Sequence, residues 1–171
     1  MASTLLSPML PYGTARAYNG GMERALICQA LESDVHHICR LQRRWAEEGN
    51  TYGLTPESRE RVEAALGPYL LVAEVGGEVV GFVSGSAHVS DGTAVIPAGE
   101  SYLEVENLYT SPEFRRRGVG GALIEQLLAR AKQRGVAYAQ LYSAAKDVHG
   151  VLRFYEGHQF QSWYVQMFRR L

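Results

Sequence analysis

The sequence predicts an α/β fold with a mixed sheet, and three observations carry that expectation. Short apolar runs bounded by glycine, proline or asparagine recur along the chain, as strands do. Between them lie segments whose apolar residues return every three or four positions, as on a helix face. Taken in order these read strand, two helices, three strands, helix, strand, helix, strand.

Residues 1 to about 22 mix proline, glycine, serine and tyrosine without a period and read as an irregular arm; the domain proper is 23–171. Arg24 to Leu31 contains the apolar run of a first strand. Ser33 or Asp34 is placed to cap a helix whose face is Val35, Ile38, Leu41 and Trp45, ending at Gly49-Asn50. Thr55-Pro56-Glu57 is a second helix start, with Val62, Ala65 and Leu66 on its apolar face up to Gly67-Pro68. Tyr69 to Val75 and Val79 to Val89 form a hairpin across Gly76-Gly77, and residues 90–100 are a loop. Leu103, Val105 and Leu108 mark the next strand, ended by Ser111-Pro112. A long helix follows with Ile124, Leu127, Leu128 and Ala131 as its stripe and Gly135 as a left-handed cap. Val136 to Tyr142 is a strand, His149 to Glu156 a short helix, and Trp163 to Phe168 a final strand.

Length and composition narrow the functional classes. A chain of 171 residues, 46% apolar and 20% charged, is one globular domain with a full core. A net charge of −1 gives no bulk attraction to nucleic acid or an anionic membrane. No apolar run approaches the roughly 20 residues of a membrane span, and Pro8 and Pro11 interrupt any leader-like core, so cytoplasm is the expected compartment. Cys28 and Cys39 have no metal-ligand spacing and read as free thiols. The five histidines, at 36, 37, 88, 149 and 158, form no ligand set, so no metal is expected. Ser84 and Ser86 complete no Gly-x-Ser-x-Gly elbow.

The chemistry concentrates where strand meets helix, at Arg115-Arg116-Arg117-Gly118-Val119-Gly120-Gly121. The first turn of a helix leaves backbone N–H groups without partners at the positive end of the dipole. Glycines let a phosphate approach that backbone, and arginines add charge at the mouth. No Gly-Lys-Ser/Thr closes the loop, so it is not a Walker motif. Leu123 stands where a dinucleotide fingerprint needs its third glycine. The loop closely resembles the acyl-coenzyme A loop of the GNAT superfamily of N-acetyltransferases, Arg/Gln-x-x-Gly-x-Gly/Ala, with Pro112 three residues ahead. The order of elements over about residues 24–171 is similar to the GNAT fold, a mixed and mostly antiparallel sheet flanked by helices in a single domain.

The resemblance implies acetyl-coenzyme A as cofactor, its pyrophosphate on backbone N–H groups of residues 117–122, including Gly118, Val119, Gly120, Gly121 and Ala122. Arg115, Arg116 and Arg117 would add charge. Leu108, Tyr109 and Thr110 would lend their main chain to the pantetheine arm and polarise the thioester, with Ser143 and Asp147 as further pantetheine contacts. Asp147 stands near where the family often has an asparagine. Glu104 and Glu106 share one face of their strand by alternation. Either, or a water between them and the amine, would serve as general base. Tyr155 matches the family's tyrosine facing the thiol sulfur, and a phenol near pKa ~10 suits proton delivery to a leaving thiolate. After that helix the family usually reads Gly-Phe; Gln159 before Phe160 is expected to change the turn.

The implied function is acetyl transfer to a primary amine of a small molecule or peptide by direct attack in a ternary complex. The alternative is a non-catalytic acyl-coenzyme A sensor with the same fold. The acceptor would be chosen by Glu47-Glu48-Gly49-Asn50-Thr51-Tyr52-Gly53 and the 90–100 loop, whose acids suit a cationic amine. The family often dimerises, and the aromatic last strand could serve that.

Overall fold

The computed structural model describes residues 25–170; the expected arm at 1–22 lies outside the described residues. Five strands form one sheet in sequential order: β1 (Leu26–Gln29), β2 (Leu70–Val75), β3 (Glu78–Val89), β4 (Ser101–Thr110) and β5 (Tyr138–Leu141). The first four pair antiparallel and β5 joins β4 in parallel, as a crossover through a helix requires. The sheet is mixed and mostly antiparallel, as expected.

Helices α1 (Val35–Glu48) and α2 (Arg59–Ala64) cover one face, over Leu70, Val72, Val79, Phe82 and Tyr109. Helix α3 (Val119–Gln133) covers the other, over Leu71, Val83, Leu103 and Val105, and α4 (Val148–Glu156) adds Phe154 and Tyr155 beside it. Strand alternation divides residues between these two cores, and the bulges in the β2–β3 and β3–β4 pairings shift its phase, so that Val79 shares a core with Phe82 and Tyr109 faces away from Leu103 and Val105. The α3 stripe is wider than its helical repeat suggested, since Val119, Ala122 and Leu123 are buried with Ile124, Leu127 and Ala131. Gly135, at φ 81°, caps α3: Gly135 N–H donates to Lys132 and Val136 N–H to Ala131. The β2–β3 hairpin turns on Gly76 and Gly77 at φ 58° and 81°.

Three local expectations are corrected. The second helix begins at Arg59 rather than Pro56, with the Ser58 hydroxyl accepting from Arg61 N–H. Gln42, 5% exposed on α1, binds both the backbone N–H and the carboxylate of Glu57 and holds that segment out of the helix. Asp34 does not cap α1 with its side chain; its carboxylate accepts from Leu31 N–H one turn back. No final strand forms: Trp163 to Phe168 run without regular structure, Met167 and Phe168 being 88% and 86% exposed. Their apolar content matched a strand, but no ladder partner meets them among the described residues. The turn after α4 is built on Gln159. That residue takes the left-handed conformation, φ 67°, and Phe160 N–H closes the cap on the Tyr155 carbonyl. That conformation costs an L-residue on the order of 1 kcal/mol and here is tolerated.

Gly85 is the tightest point of the β3–β4 pairing, where a Cβ would lie 2.7 Å from the Glu104 carbonyl oxygen. Gly85→Ala is expected to cost on the order of 2 kcal/mol, in the range of overpacked cores. Urea denaturation, read as a lower midpoint at unchanged slope, checks this.

Candidate active site

The site grows from a divergence between two strands. β4 and β5 pair only from Tyr102–Tyr138 to Val105–Leu141. Beyond Leu141 the chain turns to the α1–α2 loop instead. Tyr52 N–H donates to the Ala144 carbonyl, Lys146 N–H to that of Asn50, and Thr51 bridges Ala145. The β5 side of β4 from Glu106 to Thr110 therefore lacks a ladder partner among the described residues. Leu108 and Thr110 present backbone groups along that open edge, while those of Tyr109, in register with Ser111 bonded to Val80, turn toward β3; the edge leads into a 3-10 turn, Pro112–Phe114, and the arginine–glycine loop.

The loop is fixed from below by one carboxylate. Glu48, on the last residue of α1, accepts through Oε1 from the Tyr109 hydroxyl at 2.7 Å and from Arg115 Nη2 at 2.7 Å. Arg115 Nε also donates to the Thr110 carbonyl at 2.8 Å, and its guanidinium lies 5.4 Å over the Tyr109 ring. Tyr109, 3% exposed, stacks on Trp45 at 5.5 Å. Burial first, then the Glu48 hydrogen bond, drive its phenol pKa up. A second tie joins Arg44 to Glu113, whose carboxyl is held below its usual range by that bond. The Arg115 guanidinium is thus committed inward. Arg116, at φ 59°, and Arg117 keep exposed side chains, Arg117 over the Phe114 ring at 5.5 Å.

Each glycine of the loop has a different reason. Gly118 takes φ 81° and opens α3, its carbonyl accepting the helix's first backbone bond from Ala122. Gly121 leaves room for His158, whose ring would come within 3.2 Å of an added Cβ. Gly120 has no such neighbour: a Cβ would meet Thr110 Oγ1 at 3.6 Å and Phe154 at 3.7 Å, ordinary contacts. The protein itself could accept a methyl group there. The turn at Gly120 is bare, beside the N–H groups of Val119, Gly120 and Gly121, which have no partner among the described residues and point where an anion would be favoured.

Tyr155 packs against Phe154 and Phe160 beside α3, and burial pushes its phenol up to about 12. Asp147 caps α4, its Oδ1 accepting from Gly150 N–H at 2.9 Å, so its carboxylate is engaged. Ser143 is exposed and binds the Ala145 N–H. Glu104 and Glu106 both face away from α3, Glu104 near Gln140 at 3.4 Å and Glu106 accepting from Ser86 at 2.7 Å. Glu48 was legible only as an acid near the acceptor; its grip on Tyr109 and Arg115 spans over 60 residues and no local pattern announces it. The Ser86–Glu106 contact had a visible signal, since β3 and β4 are antiparallel neighbours with polar residues on one face. Among the described residues no cluster of three or more His, Cys, Asp or Glu could hold a metal, and no helix is long and apolar enough to cross a membrane.

The sequence model of the Acetyltransferase (GNAT) family matches residues 35–160. An uncharacterized N-acetyltransferase of Methanocaldococcus jannaschii is 31% identical over 85 residues, 50% of this chain and 35% of that protein. Another, from Archaeoglobus fulgidus, is 33% identical over 86 residues, 50% of this chain and 55% of its own length. The matched regions thus span between about a third and about half of these relatives. Among solved structures, an aminoglycoside N-acetyltransferase in complex with coenzyme A superposes with a TM-score of 0.66 at 19% identity, covering 87% of this chain and 95% of that one. A ribosomal-protein-alanine N-acetyltransferase of Brucella melitensis gives 0.62 at 21% identity, covering 86% and 99%. These likenesses establish the fold.

Two predictions follow from the geometry. Glu48→Ala strands the buried Tyr109 hydroxyl and is expected to cost about 1–3 kcal/mol by equilibrium unfolding, with Glu48→Gln less damaging because it still accepts. For Tyr155 the folded pKa of about 12 lies above the ordinary value near 10. The neutral phenol's stabilisation is therefore intact below pH ~10 and lost as pH rises toward ~12. Urea midpoints measured across that window should fall in the wild type and fall less in Tyr155→Phe.

Proposed function

The chain belongs to the acetyltransferase (GNAT) family, and on that premise we propose that it transfers an acetyl group from acetyl-coenzyme A to a primary amine of a small molecule or peptide, by direct attack in a ternary complex. The observation that carries this reading is the open edge of β4 running into the bare first turn of α3. The peptide N–H and C=O of Leu108 and the N–H of Thr110 suit an amide-bearing arm, which adds to an open strand edge as another strand would, while Tyr109 contributes no backbone group to that side. The α3 turn suits a pyrophosphate, with Arg116 and Arg117 supplying charge at its mouth. Coenzyme A would contribute the activated thioester; the chain's own residues bind and orient it.

The remaining groups suit the transfer. A β4 N–H aimed at the thioester oxygen would stabilise the charge that develops there when the amine adds. Glu104 or Glu106 takes the amine proton, directly or through water. Tyr155 is read more narrowly than its sequence position suggests. A phenol near 12 lies more than three units above an ordinary thiol at ~8.5, so complete proton transfer to the thiolate is uphill by roughly 5 kcal/mol. Tyr155 serves better as a hydrogen-bond donor that steadies the departing sulfur.

The acceptor belongs to the polar face beside the α1–α2 loop. Structural neighbours include an aminoglycoside acetyltransferase in complex with sisomicin and one with a coenzyme A–acetylneamine bisubstrate analogue. Aminoglycosides, polyamines and peptide N-termini are thus the first classes to screen. With Glu48 occupied by Tyr109 and Arg115, the attraction for a cationic amine falls to Glu104 and Glu106.

Isothermal titration with acetyl-coenzyme A should show binding at or below tens of micromolar, and its absence would contradict the reading. Gly120→Glu should fold normally and lose that binding, because the added carboxylate occupies the turn. Tyr155→Phe should keep the affinity and lower turnover in a thiol-release assay by about tenfold or more, in the lower range of hydrogen-bond losses in transition states.

A further inference from the structure

We propose that Ser86 and His88 are positioning residues that select Glu106, rather than Glu104, as the carboxylate offered to the acceptor amine; the proposal rests on the acetyl-transfer reading above. Three observations carry it. The first is a bulge. Ser84 pairs with Asn107 and Gly85 with Val105, so Glu106 is an extra residue in β4 with no opposite number. An inserted residue bends its strand and re-aims its side chain, and the Glu106 carboxylate reaches diagonally across β3.

The second is the direction of two hydrogen bonds. Ser86 Oγ lies 2.7 Å from Glu106 Oε1 and 2.7 Å from His88 Nε2. A hydroxyl has one hydrogen and an ionised carboxylate only accepts. Ser86 therefore donates to Glu106, and His88 must donate to Ser86 through Nε2–H. The chain fixes the imidazole tautomer, leaving Nδ1 bare when the ring is neutral. The third is that His88 stacks on Tyr102, with centroids 5.3 Å apart and planes at 30°, which orients the ring independently of Ser86.

Glu104 has no comparable support. It stands opposite Ser86 in the ladder, and among the described residues its carboxylate makes only the 3.4 Å contact with Gln140. In Glu106 the hydrogen-bonded Oε1 holds the carboxylate in place while Oε2 stays available. As the amine nitrogen bonds to the thioester carbon, its proton goes to Oε2; the C–S bond then breaks and the electron pair leaves with sulfur. Neither Ser86 nor His88 touches the reacting atoms. Their effect is on where Oε2 points.

The test reads the His88 tautomer from its ring 15N shifts in the full chain, alongside thiol release from acetyl-coenzyme A with sisomicin, spermidine and an alanine-terminated peptide. In the wild type the neutral ring should be Nε2–H alone. Glu106→Ala frees the Ser86 hydrogen to turn toward Nε2, and an Nδ1–H population should appear; Glu104→Ala should produce none. With any amine that turns over, Ser86→Ala and His88→Ala should lower kcat on the order of 10- to 100-fold, as misplaced groups do. The KM for acetyl-coenzyme A should not change, and Ser86→Thr should restore most of the rate. A tautomer mixture identical in wild type and Glu106→Ala overturns the proposal, even if acetyl transfer is normal. A tautomer that responds while all three amines fail supports the hydrogen-bond chain and counts against the transfer reading instead.

Discussion

The joint hold of the Glu48 carboxylate on Tyr109 and Arg115 is the constraint from which the site is built. It ties the end of α1 to the end of β4 across a distance of more than 60 residues in sequence. Arg115, so held, closes on the Thr110 carbonyl and sets the point where the strand stops and the loop begins. A charge-assisted hydrogen bond is stronger than a neutral one, and at a half-buried position water competes for it less. The arrangement has a cost, because the first arginine of the loop is used as structure and its side chain does not point outward as a free cation. The exposed charge of the loop is left to Arg116 and Arg117.

A second constraint acts on the other side of β4. A strand that stayed paired with β5 would have no edge to offer. Here the segment after Leu141 is drawn to the α1–α2 loop by the Tyr52–Ala144 and Lys146–Asn50 hydrogen bonds. The same contacts that take β5 away from β4 thus bring the expected acceptor loop toward the expected cofactor edge. One divergence both opens the β4 edge and sets the loop beside it.

Much of this was legible in the sequence, because its signals are local. The α3 stripe, the hairpin glycines, Gly135 and the glycine–arginine loop each carry their physics within a few residues, and each forms where expected. The errors arose where a distant partner decides. Pro56 has every mark of a helix start, yet Gln42 from α1 holds its neighbour Glu57 out of the helix. Trp163 to Phe168 have strand propensity, but propensity does not supply a partner, and the segment lies open. Gln159 follows the same logic in reverse: the cap's hydrogen bonds impose a left-handed turn on a residue that does not favour it. At the candidate site, Tyr155 and the Glu104–Glu106 pair stand out in the sequence by position, and Ser86 and His88 share a strand face by alternation. The Glu48 clamp does not, since its partners stand more than 60 residues away and no local pattern links them.

The central claim is that acetyl-coenzyme A lies along the open edge of β4 with its phosphates on the first turn of α3. Amide hydrogen exchange of the full chain, with and without acetyl-coenzyme A, tests it residue by residue. The account predicts new protection confined mainly to the N–H groups of Leu108 and Thr110 on the open edge and to residues 117–121, whose backbone N–H groups have no partner among the described residues. Binding that leaves those amides unprotected, or protects another face of the sheet, would contradict it.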